Sequence, residues 1–145
     1  MLEFHAEVKK AIVAKTQSKK DASNNLRRFL ISNMKHGRHL VLNLDTMVPT
    51  FSDYDLADAC PLKDYFFHRA NLFEKHKGWL RPDEDKDIQG NPGLFALNPK
   101  YNLIILSNMA NPDCDDEIIQ MVRDEVPHME DFHKVFIKAE KWRFQ

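Results

Sequence analysis

Two stretches of the chain are apolar without alternation. His39-Leu40-Val41-Leu42-Asn43-Leu44-Asp45 holds four leucines or valines within five positions, and Asn102-Leu103-Ile104-Ile105-Leu106-Ser107 holds four apolar residues in a row. Each run is too short for a buried helix, so both predict strands covered on two faces, as in a parallel sheet. Lys134-Val135-Phe136-Ile137-Lys138 predicts a third strand at a sheet edge.

Elsewhere the apolar spacing is three and four. Phe4, Val8, Ala11 and Ile12 predict a helix over 2–16, and Lys9, Lys10, Lys15, Lys19 and Lys20 make residues 1–20 a basic amphipathic segment whose lysines most simply form a solvated face. Leu26, Phe29, Leu30 and Met34 predict a helix that starts at Asp21 or Ser23 and stops at Gly37. Leu62, Tyr65, Phe66, Phe67, Leu72 and Phe73 predict another over 61–77, closed by Gly78. Ile118, Ile119 and Val122 predict a helix over about 115–123 with an acidic first turn. Residues 79–99 carry Pro82, Gly90, Pro92 and Gly93 and read as an irregular loop with a short strand at 94–97.

The expected fold is therefore α/β, a short parallel sheet of strands 39–45, 102–107 and 134–138 flanked by helices. Residues 1–20 form a leading helix, 21–139 the α/β domain with a long insertion at 46–101, and 140–145 an aromatic tail. A length of 145 residues suits one core.

Charge and composition narrow the function. The 21 basic and 22 acidic residues nearly cancel, which withdraws the positive field that duplex-binding proteins use, so no general nucleic-acid binding is expected. No run approaches the roughly 18 apolar residues of a membrane span. Two cysteines and a start without a basic end and apolar run point to a reducing, intracellular, cytoplasmic setting.

The order of elements is a helix, Gly37, an apolar strand ending in Asp45, a long insertion, an apolar strand ending in Ser107-Asn108, a helix and a strand. That order resembles the second half of an AAA+ module, a P-loop NTPase-like layout. More narrowly, Asn33-Met34-Lys35-His36-Gly37-Arg38-His39-Leu40-Val41-Leu42-Asn43 followed by Pro49, and Asn98-Pro99-Lys100-Tyr101-Asn102 running on to Asn108, look like the late AAA modules of dynein heavy chains. The likeness covers roughly residues 21–139. It implies that Asp45 stands at the Walker B position, which holds magnesium through water, and that Asn108, next to Ser107, stands at sensor 1, which orients the attacking water. Parallel neighbours bring such residues to one rim, where open α/β sheets bind ligands.

Three departures argue against hydrolysis. Thr46 stands where the active family has its catalytic glutamate. No Gly-x-x-x-x-Gly-Lys-Ser/Thr occurs, and the four glycines, Gly37, Gly78, Gly90 and Gly93, form no phosphate cradle. The family's first strand and helix have no counterpart before residue 21, so the sheet is expected to lack its middle strand. The resemblance thus implies a non-catalytic AAA-like interaction or structural protein of a cytoskeletal or ciliary assembly, with protein partners and no resident cofactor. One alternative is a nucleotide-binding sensor or Mg-dependent enzyme that takes Mg-ATP at the rim of Asp45, Ser107, Asn108 and Asp113. The other is a fragment of a larger motor-like ATPase. Oligomeric state is left open.

Other candidates are weaker. No two of the seven histidines frame a His-x-x-x-His site with a glutamate between, and His36 and His39 straddle Gly37. His128 and His133, with Glu130 and Asp131 between, converge on a cation only if the segment folds back. Asp83, Asp85 and Asp87 open like a calcium loop, but Ile88 and Leu94 occupy the positions that need glycine and a bidentate glutamate. Asp53, Asp55 and Asp58 read as a solvated acidic turn or a contact for a basic partner. Cys60 precedes a helix start whose dipole lowers a thiol pKa, yet without a histidine partner in reach the buried reading is preferred. Trp142 and Phe144 in the tail suggest docking.

Overall fold

The computed structural model describes residues 1–4, 6, 14–108 and 116–137. A three-stranded sheet of β1 (Leu2–Glu3), β2 (His39–Asp45) and β3 (Asn102–Ser107), ordered β1-β2-β3 and parallel throughout, carries the helices α1 (Lys19–His36), α2 (Arg69–Trp79) and α3 (Asp116–Glu125).

The helix α1 starts at Lys19, ahead of the expected Asp21 or Ser23. Ser18 caps it, because the Asp21 N–H donates to Ser18 Oγ at 3.1 Å while the Ser18 N–H donates to the Asp21 carboxylate at 3.0 Å. This reciprocal box satisfies two donors that a helix start leaves orphaned. Hydrogen bonds from Ser18 hold the Asp21 carboxyl below the usual carboxylate range. The far end is the expected one. Gly37 closes it in the left-handed region at φ 66°, its N–H reaching the Asn33 carbonyl.

Register assigns the two faces of the sheet. Leu40 pairs with Leu103 and Leu42 with Ile105, and partners in a ladder share a face. Leu40, Leu42 and Leu44 are buried against Leu26, Leu30 and Met34 of α1, with Leu103 and Ile105 packed at the margin. Each such side chain contributes about 1.5–3 kcal/mol by leaving water. Both connections, β1 to β2 and β2 to β3, step the same way across the sheet. Right-handed crossovers then put their connecting segments on one face, and a single core results.

The segment between β2 and β3 was expected as an insertion, yet it supplies most of the aromatic core. Phe51, Tyr54, Phe66, Phe67, Phe95 and Tyr101 are all buried. Phe51 stacks on Phe4 at 5.6 Å and meets Phe67 edge-on at 5.1 Å. The helix expected over 61–77 is broken into a wide π turn, Leu62–Phe66, and α2. The break sits at His68, whose ring accepts the Asn71 N–H at 3.1 Å and so caps a fresh helix start. Gly78 does not end α2, which runs on to Trp79.

Three strand and helix expectations are corrected. Residues 94–97 form no strand, since the loop is tied instead by Phe95 N–H to the Asp85 carboxylate and by Asn98 N–H to the Met34 carbonyl at 2.8 Å. Lys134–Ile137 does not join the sheet, and its apolar side chains stand in solvent; Lys138 lies outside the described residues. The third strand is Leu2–Glu3, paired with Leu42 and Asn43. A strand thus precedes residue 21, the helix expected from residue 2 opens instead as strand, and Phe4 is fully buried. Val8, Ala11, Ile12, Lys9 and Lys10 fall outside the described residues, as do residues 140–145 of the tail. The helix expected near 115–123 is present as α3, with Val122 nearly buried. No described helix is long and apolar enough to cross a membrane.

Candidate functional site at the C-terminal rim

Parallel pairing brings the ends of β2 and β3 together. Asp45 lies opposite Ser107, after a one-residue irregularity in register past Asn43, and the Asn108 N–H donates to the Asp45 carbonyl at 2.8 Å. The irregularity has a local cause. Asp45 adopts φ 53°, a left-handed conformation rare outside glycine, and its N–H is taken by Asn43 Oδ1 at 2.9 Å. Asn43 thus turns the strand end through its own side chain, and Met47 N–H closes the turn on the Leu44 carbonyl. Such strained, non-glycine positions gather at functional sites.

Asp45 and Ser107 are half-buried, while Thr46 and Asn108 are exposed. Among the described residues no hydrogen bond or ion pair engages the Asp45 carboxylate, a group of the type hard cations take as a ligand. The sequence therefore identified three residues, Asp45, Ser107 and Asn108, that the fold does bring together. Asp113 lies outside the described residues.

No described glycine stands at this rim. Gly37 caps α1 at the opposite end of β2, Gly78 is within α2, and Gly90 and Gly93 belong to a turn organised by Asp87. That carboxylate accepts the Asn91 side chain and N–H, each at 2.8 Å, and the Gln89 N–H at 3.0 Å. These bonds hold its pKa below the usual range. With Asp85 bound to the Phe95 N–H, two of the three alternating aspartates are committed to folding the loop.

The remaining candidates resolve into structure. Asp53 and Asp58, read first as part of a solvated acidic turn and otherwise as a contact for a basic partner, pair with this chain's own Lys19 at 2.9 Å and Lys20 at 2.6 Å. Cys60 is wholly buried, which pushes its thiol pKa far up and leaves no nucleophile. The segment around residue 128 does fold back. His128, Glu130 and Asp131 each offer an atom within 4.8 Å of the others, and His133 is not among them. The His128 ring is fixed by the Lys63 carbonyl at 2.9 Å and by an edge contact with His68 at 4.5 Å, while both carboxylates are exposed.

One charged cluster was not foreseen. Arg27, 3% exposed, sits on the buried stripe of α1 with Leu26 and Leu30. Its guanidinium reaches Glu84 at 2.6 Å, the Ala59 carbonyl at 2.8 Å and the Trp79 carbonyl at 3.0 Å, and lies 4.2 Å over the Trp79 ring. The signal was an arginine between Leu26 and Leu30, four residues after Ser23, the other buried polar residue of that face. Its role is to clamp α1 to the loop after α2, and it lies apart from the rim.

No family model, no curated protein and no solved structure matches this chain.

Proposed function

We propose that the chain is a non-catalytic, AAA-like interaction protein that works through protein partners in a cytoskeletal or ciliary assembly. The observation that carries this reading is the rim itself: parallel neighbours ending on Asp45 and Ser107, tied by the Asn108 N–H to the Asp45 carbonyl, with no glycine-rich loop among the described residues beside them. Phosphates need backbone N–H groups or cations arranged to receive them, and neither the loop nor the glutamate that would replace Thr46 is present. The likeness of Asn33–Asn43 and Asn98–Asn108 to late dynein modules supports the assembly class.

The test is turnover of Mg-ATP by the purified chain. No hydrolysis above that of Asp45→Asn is expected, and turnover abolished by that substitution overturns the non-catalytic reading. A tagged chain in a ciliated cell is expected at the axoneme; diffuse cytosolic signal removes the assembly assignment.

The second reading, a nucleotide sensor, is favoured by the Asp45 carboxylate, unengaged among the described residues, beside Ser107 and Asn108. Calorimetry with Mg-ATP decides it, because a ligand that binds the native state must also raise the melting temperature. The third reading, a piece of a larger motor-like ATPase, is supported by the exposed Ile104 and Leu106 on the outer face of the sheet. It predicts a broad, weakly cooperative melt for the isolated chain.

A further inference from the structure

On its inner side β3 pairs with β2 at every position from Asn102 to Ser107, and among the described residues no strand pairs with its outer side. An open edge of unpaired N–H and C=O groups is a template for another strand. The side chains agree. Leu103-Ile104-Ile105-Leu106 is apolar on both faces, as an interior strand of a parallel sheet is, yet Ile104 is 44% and Leu106 46% exposed.

The same chain displays a complementary piece. Beyond the turn Met129–Asp131, residues 133–137 pair with no strand among the described residues, and Val135, Phe136 and Ile137 are 81%, 60% and 88% exposed. Valine, phenylalanine and isoleucine are strong strand formers. The root of the segment is fixed, since Phe132 packs against the core and lies 6.5 Å from the Phe67 ring. Among the described residues, then, edge and segment are both left without a strand partner.

We propose that two copies of this chain associate by exchange, each laying Val135–Ile137 along the outer edge of β3 of the other. The occupant is a second copy because the chain carries both halves of the contact and its described residues do not join them. Charge agrees with this choice. A segment that runs antiparallel to β3 brings its leading Lys134 toward the rim that ends in Asp45. With a net charge of −1, copies do not repel one another at long range. A reciprocal exchange is self-complementary and closes at two. It stands whether or not the rim takes nucleotide.

Sedimentation velocity on the full chain through the micromolar range tests the exchange. The wild type is expected to show a reversible monomer–dimer equilibrium. Val135→Pro removes a donor from the segment, and Ile104→Lys places a charge beside the edge; each is expected to weaken association about tenfold or more. Both positions are exposed, so the variants fold, which circular dichroism and a cooperative melt verify. A mixture of the two variants regains association, since the intact edge of one meets the intact segment of the other. A wild type that stays monomeric, a dimer indifferent to both variants, or a mixture that regains nothing overturns the proposal. Slow hydrogen exchange at Val135–Ile137 in a strictly monomeric sample overturns it too, by showing that the segment closes on its own chain.

Discussion

Arg27 and Glu84 lie 57 positions apart in sequence and meet at 2.6 Å, with the guanidinium 3% and the carboxylate 13% exposed. Arg27 is multiply bonded there, to both Glu84 oxygens and to two carbonyls, and its flat face rests on Trp79. The pair joins α1 to a loop that has little regular structure of its own.

Breaking it from one side leaves an uncompensated charge. Glu84→Gln is expected to cost about 3 kcal/mol in urea denaturation, the order seen when a buried pair loses one member. Replacing both residues with apolar ones of similar size should cost clearly less than the two single changes summed, because no charge is then stranded. Additive costs would show that the two residues act independently.

Gly37 carries two requirements at once. Its φ is 66°, and a Cβ there would collide with the side chain of Asn98. Gly37→Ala should destabilise by more than the roughly 1–2 kcal/mol of left-handed strain alone. Adding Asn98→Ala should recover the steric part and leave the strain, measured as the two midpoints of denaturation.

The Tyr101 hydroxyl is buried and finds no hydrogen-bond partner among the described residues. Tyr101→Phe keeps the ring and removes a desolvated polar atom, so stability should hold or rise by about 1 kcal/mol. A loss of stability would reveal a bond to the hydroxyl, such as one through water.

Burial raises the pKa of Cys60 above its ordinary 9.0 and that of Tyr101 above its ordinary 10.0. Above those values the unfolded chain has released protons that the folded chain retains. The stability these groups give is complete below about pH 9 and falls as pH climbs, by at most about 1.4 kcal/mol per group per pH unit. The melting temperature should therefore drop steadily above pH 9, and Cys60→Ala should delay the onset. A flat profile to pH 11 contradicts this account.

Much of the framework was legible in sequence because its signals are local. Gly37, the apolar runs at 40–44 and 103–106, and the spacing of Ile118, Ile119 and Val122 act within a turn or a strand, so the end of α1, β2, β3 and α3 could be placed from them, whereas the Ser18 cap that starts α1 was missed in favour of Asp21 or Ser23. Asp45, Ser107 and Asn108 were found as strand ends for the same reason. What the sequence could not supply was pairing. Two residues, Leu2 and Glu3, carry too little pattern to announce a strand, and only the neighbouring edge of β2 makes them one. Lys134–Ile137 carries the better strand pattern and pairs with nothing described, because a ladder needs an edge within reach. The 46–101 segment, sparse in periodicity, became core because buried aromatics need only mutual contact, not regular backbone. Local propensity set which segments can be strand or helix; the third dimension decided which edges are occupied, which face is covered, and that Arg27 would find Glu84.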